Sequence, residues 1–277
     1  MSRGPAATLV AACLRDGDGG SPTAVLDDAP LSDADRRRVP VLAGTSHAVF
    51  VTDGDPVRLR FFTSAGELPA CGHGTLAALA LLAHQSGGDV DVTLTAGRRT
   101  FAGRAVRTGS LVAAEFDPGP VTLRGPGTAE YRAVRDALGA APGTIADGAV
   151  VASSGRPRLL GPLATRAAVA ALAPDLDRLR AACDDHGLLG CYVHSAPDDD
   201  GRVAARMFAP SIGVPEDVAN ANSTACLAAH LARFGRARVT ADLGDALGRP
   251  ATVTATVRPD GAVRVGGTAA VAGPLLL

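Results

Sequence analysis

Two segments of the chain, 146 positions apart, read as copies of one structural unit. The first runs from Arg60 to His84 and the second from Arg206 to His230. In each, a short run of β-forming residues is followed by a proline-containing turn and then by an apolar segment typical of a buried helix. The units of solenoid repeats are only about 20–50 residues long, so this spacing predicts a duplicated domain instead.

The alignment of the two copies places Cys71 opposite Asp217, each just before a predicted helix. A helix start presents unpaired backbone N–H groups and the positive end of the helix dipole, and both favour a bound anion. If the two copies face each other, a small carboxylate is held between them. Cys71 and Asp217 would then flank it from opposite sides, which suits proton transfer.

Composition limits the class of protein. The 277 residues are enough for two domains, and the net charge of −1 gives no reason to expect nucleic acid or an anionic membrane as a partner. No stretch has the roughly 18 consecutive apolar residues that a membrane helix needs, and no signal peptide is recognisable at the start. We expect a cytoplasmic enzyme that binds a small-molecule carboxylate and could form a homodimer.

Cofactor and metal motifs are absent from the sequence. The five cysteines are scattered without a CxxC pair, and no Walker loop, dinucleotide fingerprint, zinc spacing or EF-hand loop occurs. We therefore expect no cofactor and no metal.

The chain divides into two halves at a Gly/Pro-dense linker, Asp117–Gly127. We expect an N-terminal lobe over residues 1–118 and a C-terminal lobe over residues 119–267, with residues 268–277 returning to the first lobe. The central helices are predicted at Thr75–His84 and Ser223–Phe234, and external helices at Thr128–Gly139 and Thr165–Gly187. The predicted strands are Ala7–Leu14, His47–Asp53, Val57–Thr63, Val90–Ala96, Arg99–Val106, Leu111–Asp117, Ala149–Ser153, Gly190–Ala196, Val203–Ala209, Ala237–Ala241, Thr252–Arg258 and Val263–Gly267.

The sharpest chemical motif is the run Cys71-Gly72-His73-Gly74-Thr75. Glycine on either side of a polar residue lets the backbone approach a ligand and begin a helix without a Cβ clash. A thiolate just before a helix start is stabilised by the helix, so Cys71 is a candidate proton acceptor.

Three stretches carry a family resemblance. They are residues 60–76 around this motif, residues 20–25 (Gly-Ser-Pro-Thr-Ala-Val) and residues 207–217, which begin Met-Phe-Ala-Pro and end Glu-Asp. They resemble the phenazine-biosynthesis PhzF-like family, within the diaminopimelate epimerase superfamily, and smaller matches at 248–250 and 265–267 extend the resemblance over almost the whole chain. The Cys-Gly-His-Gly-Thr run also looks like the first catalytic loop of proline racemases.

The resemblance implies an α+β fold of two pseudo-symmetric lobes. Each lobe would be a curved, mostly antiparallel, barrel-like sheet around a central buried helix, as in diaminopimelate epimerase, with the active site in the cleft between them. It also implies cofactor-independent proton transfer on a small amino or imino acid. In the family, an imidazole at the position of His73 contacts substrate, and an aspartate at the position of Asp217 holds the substrate's nitrogen.

The chain departs from the family at its principal acid/base. PhzF-like enzymes carry a Ser-Glu step just before a strand, and the matching step here is Ser46-His47. An imidazole with an ordinary pKa near 6.5 accepts a proton at neutral pH more readily than a glutamate with a pKa near 4.3. His47 is therefore predicted to be the main base, with Ser46 beside it.

The second helix start departs as well. Racemases and epimerases of the superfamily place a second cysteine there, whereas this chain has Asn220-Ala221-Asn222, where PhzF-like proteins have Thr-Gly-Ser, and Cys226 lies about a turn deeper. The backbone N–H groups survive this change, so we expect the carboxylate cradle to survive with a pocket reshaped by two carboxamides.

Three functions remain open at this point. The first is an isomerase that moves a proton and a double bond within a small unsaturated amino or imino acid. The departures suggest a specialised-metabolite substrate, as in antibiotic biosynthesis, and one such substrate is a pyrroline-2-carboxylate precursor of 4-alkylproline. The second is a proline-type racemase or epimerase, and the third is a binding protein without catalytic activity.

Overall fold

The chain forms two curved sheets, each wrapped around one buried helix. The computed structural model describes residues 6–139 and 148–277. Its strands are β1 (Ala6–Leu14), β2 (Ser21–Asp27), β3 (His47–Thr52), β4 (Val57–Phe62), β5 (Glu67–Leu68), β6 (Val90–Ala96), β7 (Arg99–Thr108), β8 (Leu111–Phe116), β9 (Thr122–Arg124), β10 (Val150–Ser153), β11 (Pro157–Leu163), β12 (Cys191–Ser195), β13 (Arg202–Ala209), β14 (Val214–Asp217), β15 (Arg238–Leu243), β16 (Ala251–Val257) and β17 (Val263–Leu276). Its helices are α1 (Asp33–Ala43), α2 (Gly72–Ser86), α3 (Thr128–Ala137), α4 (Arg166–Ala170), α5 (Leu176–Asp185) and α6 (Ala221–Ala232).

Eight strands close the first sheet into a barrel, in the order β1-β2-β3-β4-β6-β7-β8-β17 and back to β1. Helix α2 fills its interior, and every side chain from Leu76 to Ala80 is fully buried. A helix without a polar face cannot remain in water, so the apolar sequence of α2 dictates this central position. The predicted buried helix is confirmed.

The second sheet repeats the order of the first, in the sequence β10-β11-β12-β13-β15-β16-β17. The pairs β11–β12 and β13–β15 are parallel at the same places as β2–β3 and β4–β6 in the first lobe. Helix α6 packs along β15, β16 and β17, while α3, α4 and α5 cover the outer face of the second sheet. The fold is therefore α+β with two pseudo-symmetric lobes, as predicted.

The duplication extends to a pair of matched ion pairs. Arg60 forms a bidentate pair with Glu67 at 2.7 and 2.8 Å and lies over the ring of Phe62. Arg206 repeats this with Glu216, at 2.7 and 2.9 Å. Planar two-point pairing of guanidinium and carboxylate fixes both side chains, so each turn that leads to a central helix is held in the same way.

The structure corrects the alignment of the two helix starts. Phe62 precedes the N-cap of α2, Cys71, by nine residues, whereas Phe208 precedes the N-cap of α6, Asn220, by twelve. The second copy contains an extra 3-10 turn, Pro210–Ile212, between strand and helix. The structural equivalent of Cys71 is therefore Asn220, and Asp217 lies three residues before it.

Several predicted elements differ from those observed. The helix expected at Thr165–Gly187 is two helices, α4 and α5, because Pro174 interrupts it. The expected linker Asp117–Gly127 contains the short strand β9, which pairs with β10. The closing segment forms the last part of β17 and pairs with both β1 and β8, which completes the first barrel.

Candidate active site

A cavity of about 110 Å³ lies between the two lobes, where the central helices begin. It is smaller than the roughly 300–1,000 Å³ of pockets for drug-sized ligands, so it suits a small molecule. His47, Cys71 and His73 line it from the first lobe, and Asp217 and Asn220 line it from the second. The tertiary structure thus brings together the titratable residues that the sequence placed far apart.

His47 is buried at the first position of β3, with only 2 % of its surface exposed. The Oγ of Ser46 lies 2.8 Å from its Nδ1 and so fixes the orientation of the ring. Burial lowers the pKa of His47 well below its ordinary value, and the nearby His73 lowers it further. Burial thus shifts the pKa of His47 away from the ordinary imidazole value, so His47 is neutral at pH 7 and able to accept a proton.

His73, in the first turn of α2, has the opposite electrostatic environment. Its Nδ1 donates to the carbonyl oxygen of Ala219 at 2.9 Å, and its Nε2 lies 3.6 Å from the Sγ of Cys71. Burial acts to lower its pKa, but Cys71 and Asp217 outweigh burial and raise the pKa of His73 to about 10. Its ring meets that of His47 edge to face, with centroids 4.4 Å apart.

Two neighbouring imidazoles therefore hold different protonation states at neutral pH. His47 is the neutral ring and His73 the cationic one. Pairs of titratable groups whose surroundings push their pKa values apart are typical of an acid and a base that work together. This contrast in charge is a property of the fold, because both side chains have the same ordinary pKa.

Asp217 is a buried carboxylate with spare hydrogen-bonding capacity. Its Oδ2 accepts from the side chain of Asn220 at 2.9 Å, whereas no hydrogen bond reaches its Oδ1 within the described residues. Burial raises the pKa of Asp217, and the cation on His73 opposes this. A buried carboxylate oxygen without a partner is costly, so Oδ1 is available to a donor group on a ligand.

The starts of α2 and α6 are in contact with each other where they line the cavity. A Cβ added at Gly72 would lie 2.6 Å from the Cβ of Ala221 and 3.1 Å from the backbone nitrogen of Asn222. Only glycine lets the two helix starts approach this closely. Their first backbone N–H groups have no acceptor within their own helices, so two dipoles converge on one small volume.

The predicted site residues divide into two groups. Seven line the cavity, namely His47, Cys71, Gly72, His73, Asp217, Asn220 and Asn222. The other four support it from behind. Ser46 holds His47, Gly74 packs against Val49 and Phe61, Thr75 donates to the carbonyl oxygen of Cys71 at 2.8 Å, and Ala221 meets Gly72.

Three arginines in the cavity wall were missed in the sequence. Arg99 begins β7, Arg156 lies in the β10–β11 turn, and Arg158 is in β11. Strand β11 itself was not predicted, because Pro157, Gly161 and Pro162 weaken its β-pattern. A single arginine between Pro157 and two leucines carries no motif, so only the fold reveals its position.

A larger cleft, of about 480 Å³, lies beside β8, β16 and β17. Arg104 and Glu115 are the only ionisable residues that line it among those described. The described lining of this cleft contains no imidazole or thiol and no buried charge. The smaller cavity is therefore the candidate active site.

His47, Cys71 and His73 also form a possible metal-binding group. One ring nitrogen of each histidine and the Sγ of Cys71 lie within 4.8 Å of one another. Two imidazoles and a thiolate are donors that zinc accepts, so the site contains three of the four ligands of a tetrahedral centre. A zinc ion there would compete with protons for the same three atoms.

Comparison with known proteins identifies the family. The family model described as "Phenazine biosynthesis-like protein" (PhzC-PhzF) matches residues 14–273. The chain belongs to the PhzF family. A protein from Deinococcus radiodurans described as an uncharacterized isomerase is 30 % identical, over 92 % of this chain and 88 % of its own length. A trans-2,3-dihydro-3-hydroxyanthranilate isomerase from Pseudomonas fluorescens is 31 % identical, over 78 % of this chain and 76 % of its own.

Solved structures agree with this assignment. A protein from Pseudomonas aeruginosa described as a predicted epimerase is 30 % identical and superposes with a TM-score of 0.86, covering 99 % of both chains. A probable proline racemase from Agrobacterium radiobacter shares the fold alone, with a TM-score of 0.69 at 10 % identity, over 99 % of this chain and 92 % of its own. This PhzF-family protein is thus an isomerase. No helix in the described part of the chain has the length and apolar character of a membrane span.

Proposed function

We propose that this PhzF-family isomerase moves a proton, and with it a double bond, within a small unsaturated amino or imino acid. The observation that carries the proposal is the pair of adjacent imidazoles, neutral His47 and cationic His73, in the wall of the interlobe cavity. A neutral imidazole removes a proton from carbon and the cationic one stabilises the charge that develops. Both actions need no further group.

The roles of the other polar groups in the cavity follow from their atoms that lack a hydrogen-bond partner or lie close to His73. The unpaired Oδ1 of Asp217 holds the substrate's nitrogen. The backbone N–H groups around Gly72 and Ala221 hold the carboxylate, because an anion placed there meets two helix dipoles. Cys71, 3.6 Å from His73, is a second proton carrier on the first-lobe side. His47 returns the proton at the new carbon.

We also propose a substrate class, a cellular location and an oligomeric state for this enzyme. A substrate of specialised metabolism, such as a pyrroline-2-carboxylate precursor of 4-alkylproline in antibiotic biosynthesis, fits the small cavity and its cradle. We further propose a cytoplasmic enzyme that functions as a homodimer, with lobes at residues 1–118 and 119–267 and residues 268–277 in the first lobe. A proline-type racemase is the second candidate, and it would need Cys71 and Asp217 as two opposed bases.

The experiment is a reaction in D2O with candidate unsaturated cyclic amino acids, in the presence of a chelator. We expect deuterium to appear on carbon in the product, at a rate that the chelator does not change. Mass spectrometry locates the label, and chiral chromatography distinguishes a shifted double bond from inversion at the α-carbon. Inhibition by the chelator would instead assign His47, Cys71 and His73 to a metal, and a racemic product would favour the second candidate.

A further inference from the structure

Arg158 is a buried cation with no counter-charge among the described residues. Only two arginines of the described chain are buried, Arg36 with 7 % and Arg158 with 2 % of their surface exposed. Arg36 pairs with Asp28 at 2.7 Å and with Asp33 at 3.1 Å. No described carboxylate lies within 4.0 Å of Arg158, although it is the more deeply buried of the two.

The hydrogen-bond partners of Arg158 are a backbone carbonyl, a cysteine and a serine. Its Nη2 donates to the carbonyl oxygen of Arg156 at 2.8 Å, and its Nη1 lies 3.1 Å from the Sγ of Cys226 and 3.4 Å from the Oγ of Ser154. Its Nε has no acceptor in the described residues. A buried guanidinium without an anion is strongly unfavourable, and an unfilled buried donor adds to that cost.

The same cavity contains more positive than negative charge. Arg99 and Arg156 line it beside Arg158, and neither makes an ion pair with a described carboxylate. Asp217 is the single carboxylate in the described lining. If Asp217 holds the substrate's nitrogen and the helix starts hold its carboxylate, as in the proposed function, the three arginines of the lining have no counter-charge among the described residues.

We propose that Arg158 binds a second anionic group of the substrate, so that the substrate class is an amino or imino acid with an additional carboxylate. Arg158 forms the inner end of this subsite, and Arg99 and Arg156 lie at its outer side. The guanidinium supplies a fixed pair of donors that matches the two oxygens of a carboxylate. Such a ligand would supply both missing partners. Its second carboxylate would accept from the Nε of Arg158, and its nitrogen would donate to the Oδ1 of Asp217.

This inference rests on the proposed function for the assignment of the first carboxylate, and binding measurements test it without turnover. The probes are two planar ligands that differ in one group, pyrrole-2-carboxylate and pyrrole-2,4-dicarboxylate. Calorimetry gives the ratio of their dissociation constants for the wild type, Arg158→Gln, Arg158→Lys and the exposed control Arg104→Gln. Arg104 lies outside the cavity and tests for a general effect of removing one positive charge.

We expect wild type and Arg104→Gln to bind the dicarboxylate at least about tenfold more tightly, since hydrogen bonds to charged groups contribute on that order. Arg158→Gln should bring the ratio close to one and change the affinity for the monocarboxylate by less than about twofold. Arg158→Lys, which keeps the charge but loses the planar pair of donors, should retain part of the preference, and it serves as the test if the Gln variant does not fold.

The proposal would be overturned if the wild type bound the two probes equally well. It would also be overturned if the wild type bound neither probe. An equal loss of both affinities in Arg158→Gln would also overturn it, since Arg158 would then act on the first carboxylate or on the shape of the cavity. The proposed function fails by a different measurement. A preserved preference for the dicarboxylate, without deuterium incorporation into any substrate, would leave the subsite intact and contradict the proton transfer.

Discussion

At the scale of single residues, the site depends on how the fold treats two identical side chains. His47 is desolvated by burial and lies beside a cation, whereas His73 has a thiol and a carboxylate within reach. Desolvation disfavours the charged form of the first, and opposite charges favour the charged form of the second. One neutral and one cationic imidazole are therefore available at the same pH, without any residue that is unusual in itself.

His47→Ala is expected to lower kcat/KM by about 10²–10⁴, the usual contribution of a general acid–base group. In the wild type, kcat/KM should fall on the acid side with an apparent pKa below 6.5, because burial makes His47 harder to protonate. It should fall again on the alkaline side near the pKa of about 10 for His73.

The pH dependence of kcat/KM is measured from initial rates between about pH 4.5 and about pH 10.5 for the wild type, His47→Ala and the control His84→Ala. His84 is an exposed imidazole at the end of α2, so its removal should leave the rates unchanged. The role of His47 as base would be contradicted if kcat/KM fell on the acid side with an apparent pKa above 6.5. Nearly wild-type rates in a folded His47→Ala variant would contradict it as well.

At the scale of secondary-structure elements, the site is made by the contact between two helix starts. Each central helix is buried because its sequence has no polar face, and each is entered by a turn clamped by an arginine and a glutamate. These constraints set the positions of the first backbone N–H groups. The gap between them is set by Gly72, whose missing Cβ lets Ala221 approach.

Gly72→Ala is expected to push the two helix starts apart. The added Cβ would overlap Ala221 at 2.6 Å, and overpacking of this kind costs about 1–3 kcal/mol of stability. Because displacements near 1 Å can lower rates by about 100-fold, we expect kcat/KM to fall by at least tenfold. Gly88→Ala is the matched control, since nothing lies within 4 Å of the position that its Cβ would take. Equal activity in both variants would argue against a cradle at the helix starts.

At the scale of the whole molecule, burial of neutral histidines links folding to pH. His194 lies inside β12, away from the cavity, and burial lowers its pKa to about 4. In the unfolded chain its pKa is near 6.5. The folded pKa is the lower one, so the stabilisation is fully present above pH 6.5 and is lost as the pH falls towards 4.

Urea unfolding at pH 7 and pH 5 tests this link. Between these values the wild type should lose about 1–2 kcal/mol more stability than His194→Gln, whose side chain does not titrate. Since His194 does not line the cavity, deuterium incorporation by the variant should remain near the wild-type rate at pH 7. Parallel losses in the two proteins would mean that folding does not lower the pKa of His194.

Much of this protein could be predicted from the sequence alone, for physical reasons that act locally. The apolar run from Thr75 to His84 must be buried, because it has no polar face to expose to water. The Cys-Gly-His-Gly-Thr motif marks the start of the same helix. Strand β2, with Pro22, and helix α1, with Pro40 inside it, were missed because proline weakens both patterns. The N-cap Ser32, which accepts from the backbone of Asp35, was the available signal for α1.

Only the tertiary structure decided the electrostatics of the site. Burial and proximity fix the charge states of His47 and His73, and both depend on strands and helices that meet across the duplicated lobes. The lack of a described counter-charge for Arg158 has the same origin, since no local pattern tells whether a carboxylate from elsewhere in the chain will reach it. The sequence determined which elements form and which of them are buried. Charge states and counter-charges depend on long-range distances, which are properties of the folded molecule.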